Sequence, residues 1–202
     1  MRAVRWASNV KNTLTRGVFP HEMSFLLELG WRNLVLSPRR LAARLPLTTA
    51  SRVLEVGAGP GFYSAEVARL VPGGRLELLD LQPEMLGKAR RKLEIEGLTN
   101  VGYTVADAGQ LPFGDDAFDL IFLVAVPGEM ADRGAFLGEA RRVLRSGGAL
   151  SISEHLPDPD FSPCARVKSL VEAAGFEFMG RGGSRWSYTA NFWKPEATRR
   201  TR

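Results

Sequence analysis

The sequence predicts an α/β domain: a seven-stranded, mostly parallel sheet with helices on both faces and an antiparallel closing hairpin. Three observations carry this. From Ser51 onward, short apolar runs alternate with amphipathic stretches, the mark of strands joined by crossover helices. The segment from Val53 to Val71, VLEVGAGPGFYSAEVARLV, reads as a buried strand, a glycine-rich turn and a helix. Near the end, the segments Phe176–Met179 and Trp186–Trp193 both read as strands, a turn apart, and suit a hairpin.

The elements follow in order. Ser51–Val56 is the first strand, and Phe62–Val71 the helix after it, closed by the breaker cluster VPGG. Arg75–Leu79 is the second strand, ended by Asp80. Pro83 stands at a helix start, where its missing N–H costs nothing, and Gly97 stops that helix after about Glu96. Val101–Val105 is the third strand, followed by Asp107. Phe118–Val124 is continuously apolar but for Asp119, as a strand buried on both faces must be. Ala135–Leu144 is helical and is expected to end at RSGG; Ala149–Glu154 is the next strand. Pro157, Pro159 and Pro163 mark a loop, and Ala165–Ala174 a helix capped by Gly175. Ahead of all this, Phe19–Leu45 reads as two helices, the second starting at Ser37-Pro38. The expected organisation is a basic N-terminal arm and helical cap over residues 1–49, a core over 50–195 and a basic tail over 196–202.

At 202 residues the chain is one domain of ordinary size, with 45% hydrophobic and 24% charged residues, as in water-soluble globular proteins. No apolar run approaches the roughly 20 residues of a spanning helix. The single cysteine, Cys164, forbids an internal disulfide and fits a reducing, cytoplasmic setting. Charge is distributed in blocks. Residues 1–52 hold nine Lys/Arg against two Asp/Glu, residues 53–160 ten against seventeen, and residues 161–202 eight against three. Basic flanks around an acidic centre suit anionic partners, or pair in part with the centre itself.

The chemistry starts at Gly57, Gly59 and Gly61. A dinucleotide-binding turn needs its third glycine one residue later, where Phe62 stands. With Glu55 two residues ahead of Gly57, this shorter pattern resembles the first motif of the class I S-adenosylmethionine-dependent methyltransferases. The blocks LELLDLQPEML, VADAGQLPF, LPFGDDAFDLIFLV and ARRVLRSGGALSISEH resemble the segments that follow in that family. Together they cover roughly residues 50–195, and the small-molecule, ubiquinone/menaquinone-biosynthesis type is the nearest in pattern.

The resemblance implies a Rossmann-like fold, S-adenosyl-L-methionine as cofactor and a set of binding residues. A turn that opens a helix favours the carboxylate of the cofactor's amino-acid tail, and its glycines let the backbone come close. Glu55 would help hold the amino end. Asp80, nineteen residues past Gly61, would accept from the ribose hydroxyls, although such an acid serves a nicotinamide dinucleotide equally well. Leu81 and Met85 would pack on the adenine. Asp107 would accept from the adenine amino group and the Ala108 N–H would bind the ring.

The catalytic side is thinner, because methyl transfer to an activated carbon rests mainly on positioning. A base is needed only where the acceptor must lose a proton. His21, on the expected cap, and Glu129, just after the fourth strand, are the candidates; Glu154 and His155 at the end of the fifth strand come behind them. No metal site is expected: His155, Asp158 and Asp160 read as a proline-broken loop. Phe19, Phe25, Leu26 and Trp31 on the cap point to a flat or lipophilic small acceptor. The chain lacks the N/D-P-P-Y/F signature after the fourth strand, which argues against the familiar methylation of the amino groups of adenine or glutamine, and lacks a core cysteine for covalent attack on cytosine. Two other readings stay open, an RNA methyltransferase and a non-catalytic cofactor-binding or scaffold protein. The basic residues show little aromatic interleaving, which argues against nucleic acid; peripheral contact with a membrane surface stays open.

Overall fold

The structure is a computed structural model and describes residues 36–125 and 132–196. Its described elements are α1 (Pro38–Ala42), β1 (Arg52–Val56), α2 (Ser64–Leu70), β2 (Arg75–Asp80), α3 (Pro83–Ile95), β3 (Val101–Val105), β4 (Phe118–Val124), α4 (Arg133–Val143), β5 (Leu144–His155), α5 (Cys164–Ala173), β6 (Glu177–Gly183) and β7 (Ser187–Trp193). The seven strands form one sheet in the order β3-β2-β1-β4-β5-β7-β6. β1 pairs in parallel with β2 and β4, β2 with β3, and β4 with β5; β7 runs antiparallel to both β5 and β6. The expected fold class is the observed one.

Period-two alternation divides the core between two faces. Leu54, Val56, Ile121, Leu123, Leu150 and Ile152 face α4 and α5. Val53, Leu76, Leu78, Leu120 and Phe122 face α1, α2 and α3. β4 is therefore apolar on both sides, as its continuous run requires. α3 buries Met85, Leu86, Ala89 and Leu93, spaced to form one stripe, while Ile95 is exposed.

Several boundaries differ from the sequence reading for physical reasons. The glycine turn continues through Tyr63, so α2 begins at Ser64 rather than Phe62. α4 starts two residues early, because the Asp132 side chain accepts from the Ala135 N–H at 2.9 Å and caps it. α5 runs from Cys164 to Ala173, one residue ahead of the expected helix. RSGG does not separate helix from strand. β5 begins at Leu144 and absorbs these residues as an irregularity between the Phe118↔Leu144 and Leu120↔Ala149 pairs. Gly147 adopts φ +69°, and a Cβ on Gly148 would lie 2.8 Å from the Arg145 carbonyl oxygen, so the bulge needs both glycines. Lys194 closes it by exchanging backbone hydrogen bonds with Gly147 and Gly148 at 2.9 and 2.8 Å. β6 runs on through Gly183, four residues past the expected end, as an edge strand where glycine is tolerated. Before the sheet, Ser37 caps α1 as read, its side chain accepting from the Arg40 N–H, but the helix stops at Ala42. The other expected cap helix lies outside the described residues. No helix among the described residues is long and apolar enough to cross a membrane.

Candidate cofactor site at the carboxyl edge of the sheet

Strand order reverses between β1 and β4, and ligands of open α/β sheets bind at the carboxyl ends of strands beside such a reversal. The glycine turn stands there. Gly57, Gly59 and Gly61 have φ of +67°, +55° and +77°, which L side chains rarely adopt. Gly61 has a second reason to be glycine: a Cβ there would lie 3.0 Å from the Ala89 Cβ on α3.

β2 holds the turn down. The Leu79 carbonyl accepts from the N–H groups of Gly57 and Ala58 at 2.8 and 3.1 Å. Asp80 Oδ2 then accepts from the Gly59 N–H at 2.8 Å, while its Oδ1 accepts from the Gln82 N–H at 2.9 Å. Asp80 is buried but for 8% of its surface. Burial pushes its carboxyl pKa upward against the pull of these backbone donors. The backbone of Leu81 also bonds this carboxylate, and its two oxygens, with about four acceptor positions between them, keep capacity for a hydroxyl donor.

Glu55 lies one residue before the end of β1, beneath the turn, and is 3% exposed. Its Oε2 accepts from the Ser64 hydroxyl at 2.6 Å, joining the strand to the first residue of α2. Burial lifts its pKa to about 8, opposed by the Ser64 hydrogen bond and the Lys92 charge and assisted by the charge of Asp80. Lys92 on α3 donates to the Gly61 carbonyl at 3.1 Å, with Nζ 5.9 Å from the centre of the Phe62 ring. Neither Ser64 nor Lys92 stands out in the sequence. Lys92 is one of several basic residues on α3, and only the fold reveals which reaches the turn.

The remaining expected residues fall on the same edge with different degrees of access. Leu81 is half exposed, whereas Met85 is 2% exposed and offers almost no surface to a ligand. Asp107 is exposed and folds its side chain back, Oδ1 accepting from the Gly109 N–H at 2.7 Å in an Asx turn. Ala108 is half buried against the β4–α4 side of the core. The structure thus gathers Glu55, the three glycines, Asp80, Leu81, Asp107 and Ala108 along one edge. His21 and Glu129 lie outside the described residues, as do Phe19, Phe25, Leu26 and Trp31.

Glu154 and His155 end β5, two strands from β1 in the sheet order, and both are buried. Glu154 Oε2 accepts from the Ser162 N–H at 3.5 Å, a long contact, while Oε1 is buried without a hydrogen-bond partner among the described residues. Burial raises its pKa to about 7; the Ser162 N–H and Arg133 act against this, Asp158 and Asp160 with it. Tyr188, paired across from Glu154, donates to the Ser162 carbonyl at 2.5 Å. Among the described residues no cluster of three or more His, Cys, Asp or Glu is arranged to hold a metal.

Residues 53–148 match the methyltransferase domain family. A demethylmenaquinone methyltransferase of Thermus thermophilus is 38% identical over 138 residues, which make up 68% of this chain and 59% of that protein. Over this segment the chain is similar to the class I S-adenosylmethionine-dependent methyltransferases. A ubiquinone/menaquinone biosynthesis C-methyltransferase of Vibrio vulnificus is 37% identical over 134 residues, 65% of this chain and 50% of that relative. The chain therefore spans between half and three fifths of the length of these curated relatives. The crystal structure of an S-adenosylmethionine-dependent methyltransferase from Aquifex aeolicus superposes with a TM-score of 0.80 at 23% identity, covering 87% of this chain and 98% of that one, and shows the shared fold. The cofactor of this methyltransferase family is S-adenosylmethionine, and the acid, glycine turn and exposed leucine along the edge fit its ribose, amino-acid tail and adenine in chemistry.

Proposed function

We propose that the protein transfers a methyl group from S-adenosylmethionine to a small, flat or lipophilic acceptor. The observation that carries this is Asp80, a nearly buried carboxylate at the end of β2 that secures the Gly59 N–H and keeps acceptor capacity for a ribose. In this reading Asp80 holds the ribose hydroxyls and the turn Gly57–Gly61 receives the amino-acid tail. Glu55 faces the ammonium end, while Leu81 covers the adenine. Asp107 and the Ala108 N–H bracket the adenine ring, and Met85 supports this wall from within the core.

When bound, the cofactor supplies a methyl carbon activated by the sulfonium. Transfer would form a bond from the acceptor's electron pair to that carbon, break its bond to sulfur and leave S-adenosylhomocysteine. The chain's task is to align the two and exclude water. Where the acceptor must lose a proton, His21 and Glu129 remain the proposed bases, one from the N-terminal segment and one from the segment after β4. The activities named for the relatives, on demethylmenaquinone and in ubiquinone and menaquinone biosynthesis, support an acceptor of the flat, lipophilic kind.

Calorimetric titration with S-adenosylmethionine and S-adenosylhomocysteine, with Asp80→Ala as control and NADH as competitor, tests the reading. Micromolar binding that weakens by about tenfold or more in the variant and ignores NADH is the expected result. No binding of either sulfur ligand, with or without a panel of quinol and phenol acceptors, would refute it.

A further inference from the structure

Arg44 follows α1 and lies across the end of the edge strand β6. Its side chain fills the space that two glycines leave. A Cβ on Gly182 would stand 3.2 Å from Arg44 Cδ, and one on Gly183 would stand 2.9 Å from Nη1 and 2.3 Å from the Ser187 carbonyl oxygen. Gly183 also has φ +99°. The Gly-Arg-Gly-Gly run that ends β6 is thus a slot shaped to the guanidinium.

The residue is fixed from behind. Asn191 Nδ2 donates to the Arg44 carbonyl at 2.9 Å, and Asn191 Oδ1 accepts from the Ser151 hydroxyl at 2.6 Å. At the working end, Nη1 is buried and has no acceptor among the described residues. The charges around it are cationic. Arg40 faces it from α1, and burial and Arg40 together lower its pKa. Arg181 lies on β6, and Arg185 stacks on Trp186 at 4.4 Å in the turn after it. Among the described residues none of Arg40, Arg44, Arg181 and Arg185 has an acidic ion-pair partner. A guanidinium N–H withheld from water and given no acceptor is costly unless something else completes it. The planar fork of arginine matches a carboxylate or a phosphate.

We propose that Arg44, seated on Gly182 and Gly183, is an oxyanion-binding site that takes the carboxylate or phosphate of a small ligand. The slot stands at the carboxyl edge, since Gly182 and Gly183 pair with Thr189 and Tyr188, which pair with Ser153 and Glu154 at the end of β5. β6 is three strands from β4, so at about 4.8 Å per strand the slot is about 14 Å from the strand beside the cofactor turn. It is separate from the cofactor residues and stands without the methyl-transfer reading. An elongated acceptor with an anionic end would reach both.

The test uses the full chain with 15N,13C-labelled arginine. The Arg44 guanidinium signal, assigned through Arg44→Lys, is followed during separate titrations with sodium benzoate and inorganic phosphate at matched ionic strength. A saturable shift in the millimolar range is expected, and calorimetry should show at least tenfold weaker binding of the same anion in Arg44→Gln. Saturation by benzoate alone assigns a carboxylate ligand, and by phosphate alone a phosphate ligand. No saturable shift with either, or equal affinity in Arg44→Gln, overturns the proposal. Cofactor binding is measured on the same samples: its absence beside an intact benzoate or phosphate response would refute methyl transfer and leave this site standing.

Discussion

Asp80 and Gly59 are joined by a 2.8 Å hydrogen bond from the glycine N–H to Oδ2, so the acid that ends β2 also shapes the turn that ends β1. A single side chain thereby ties the ends of two neighbouring strands together, and in the proposed reading also holds the ribose. Its replacement separates the two roles. Asp80→Asn keeps an oxygen for Gly59 and loses the charge, whereas Asp80→Ala loses both.

The expected outcome is a graded loss of S-adenosylmethionine affinity. Asp80→Ala should weaken binding by about 10- to 100-fold, the range for losing hydrogen bonds to a charged group. Asp80→Asn should fall between it and the wild type. Calorimetry checks this, and equal affinity in all three proteins would remove Asp80 from the site.

Gly61→Ala tests the close approach of the glycine turn to α3. The alanine must adopt φ +77°, which costs about 1–2 kcal/mol, and its Cβ meets that of Ala89 at 3.0 Å. Thermal denaturation should show a lowered Tm. Adding Ala89→Gly should recover only the part owed to the clash, leaving the backbone cost in place.

Glu55 gives stability a definite pH dependence. Its folded pKa of about 8 lies above the ordinary value of 4.5, so between these limits the folded chain holds a proton that the unfolded chain releases. Stability from this group is present below about pH 4.5 and is lost as pH rises toward 8, at roughly 1 kcal/mol per pH unit. Glu55→Gln should gain stability relative to the wild type from pH 5 to pH 8, measured by urea denaturation. A cationic ammonium placed beside Glu55 would also ionise it. Cofactor binding at pH 7 should then release a fraction of a proton, read by calorimetry in buffers of different ionisation enthalpy and absent in the variant.

Glu154 has the same sign over a shorter window, from about 4.5 to about 7. Glu154→Gln should therefore gain most of its relative stability by pH 7 and little beyond. A flat difference between the two proteins across that range would show that the unpartnered Oε1 is solvated in solution.

The parts of this fold that were legible in the sequence are those governed by local chemistry. β4 announces itself by an apolar run, α1 by Ser37 and Pro38, and α3 by Pro83 and Gly97. The glycine turn and Asp80 were legible because their spacing is set by one strand–helix–strand unit. Failures came where a distant partner overrides a local signal. RSGG reads as a break, yet Lys194 draws it into β5; the glycines of β6 read as loop, yet they make room for Arg44. Ser64 and Lys92 were invisible for the same reason, since nothing near them in sequence says what they touch.

The sheet is not completed in the order in which it is synthesised. β6 reaches β5 only through β7, which is made after it and inserts between them. On the ribosome, β6 emerges with no strand to join, and the outer edge of β5 stays open until Trp193 has left the exit tunnel. A nascent chain arrested before that point presents a bare, apolar strand edge, the kind of surface that chaperones engage and that pairs with neighbours when they do not.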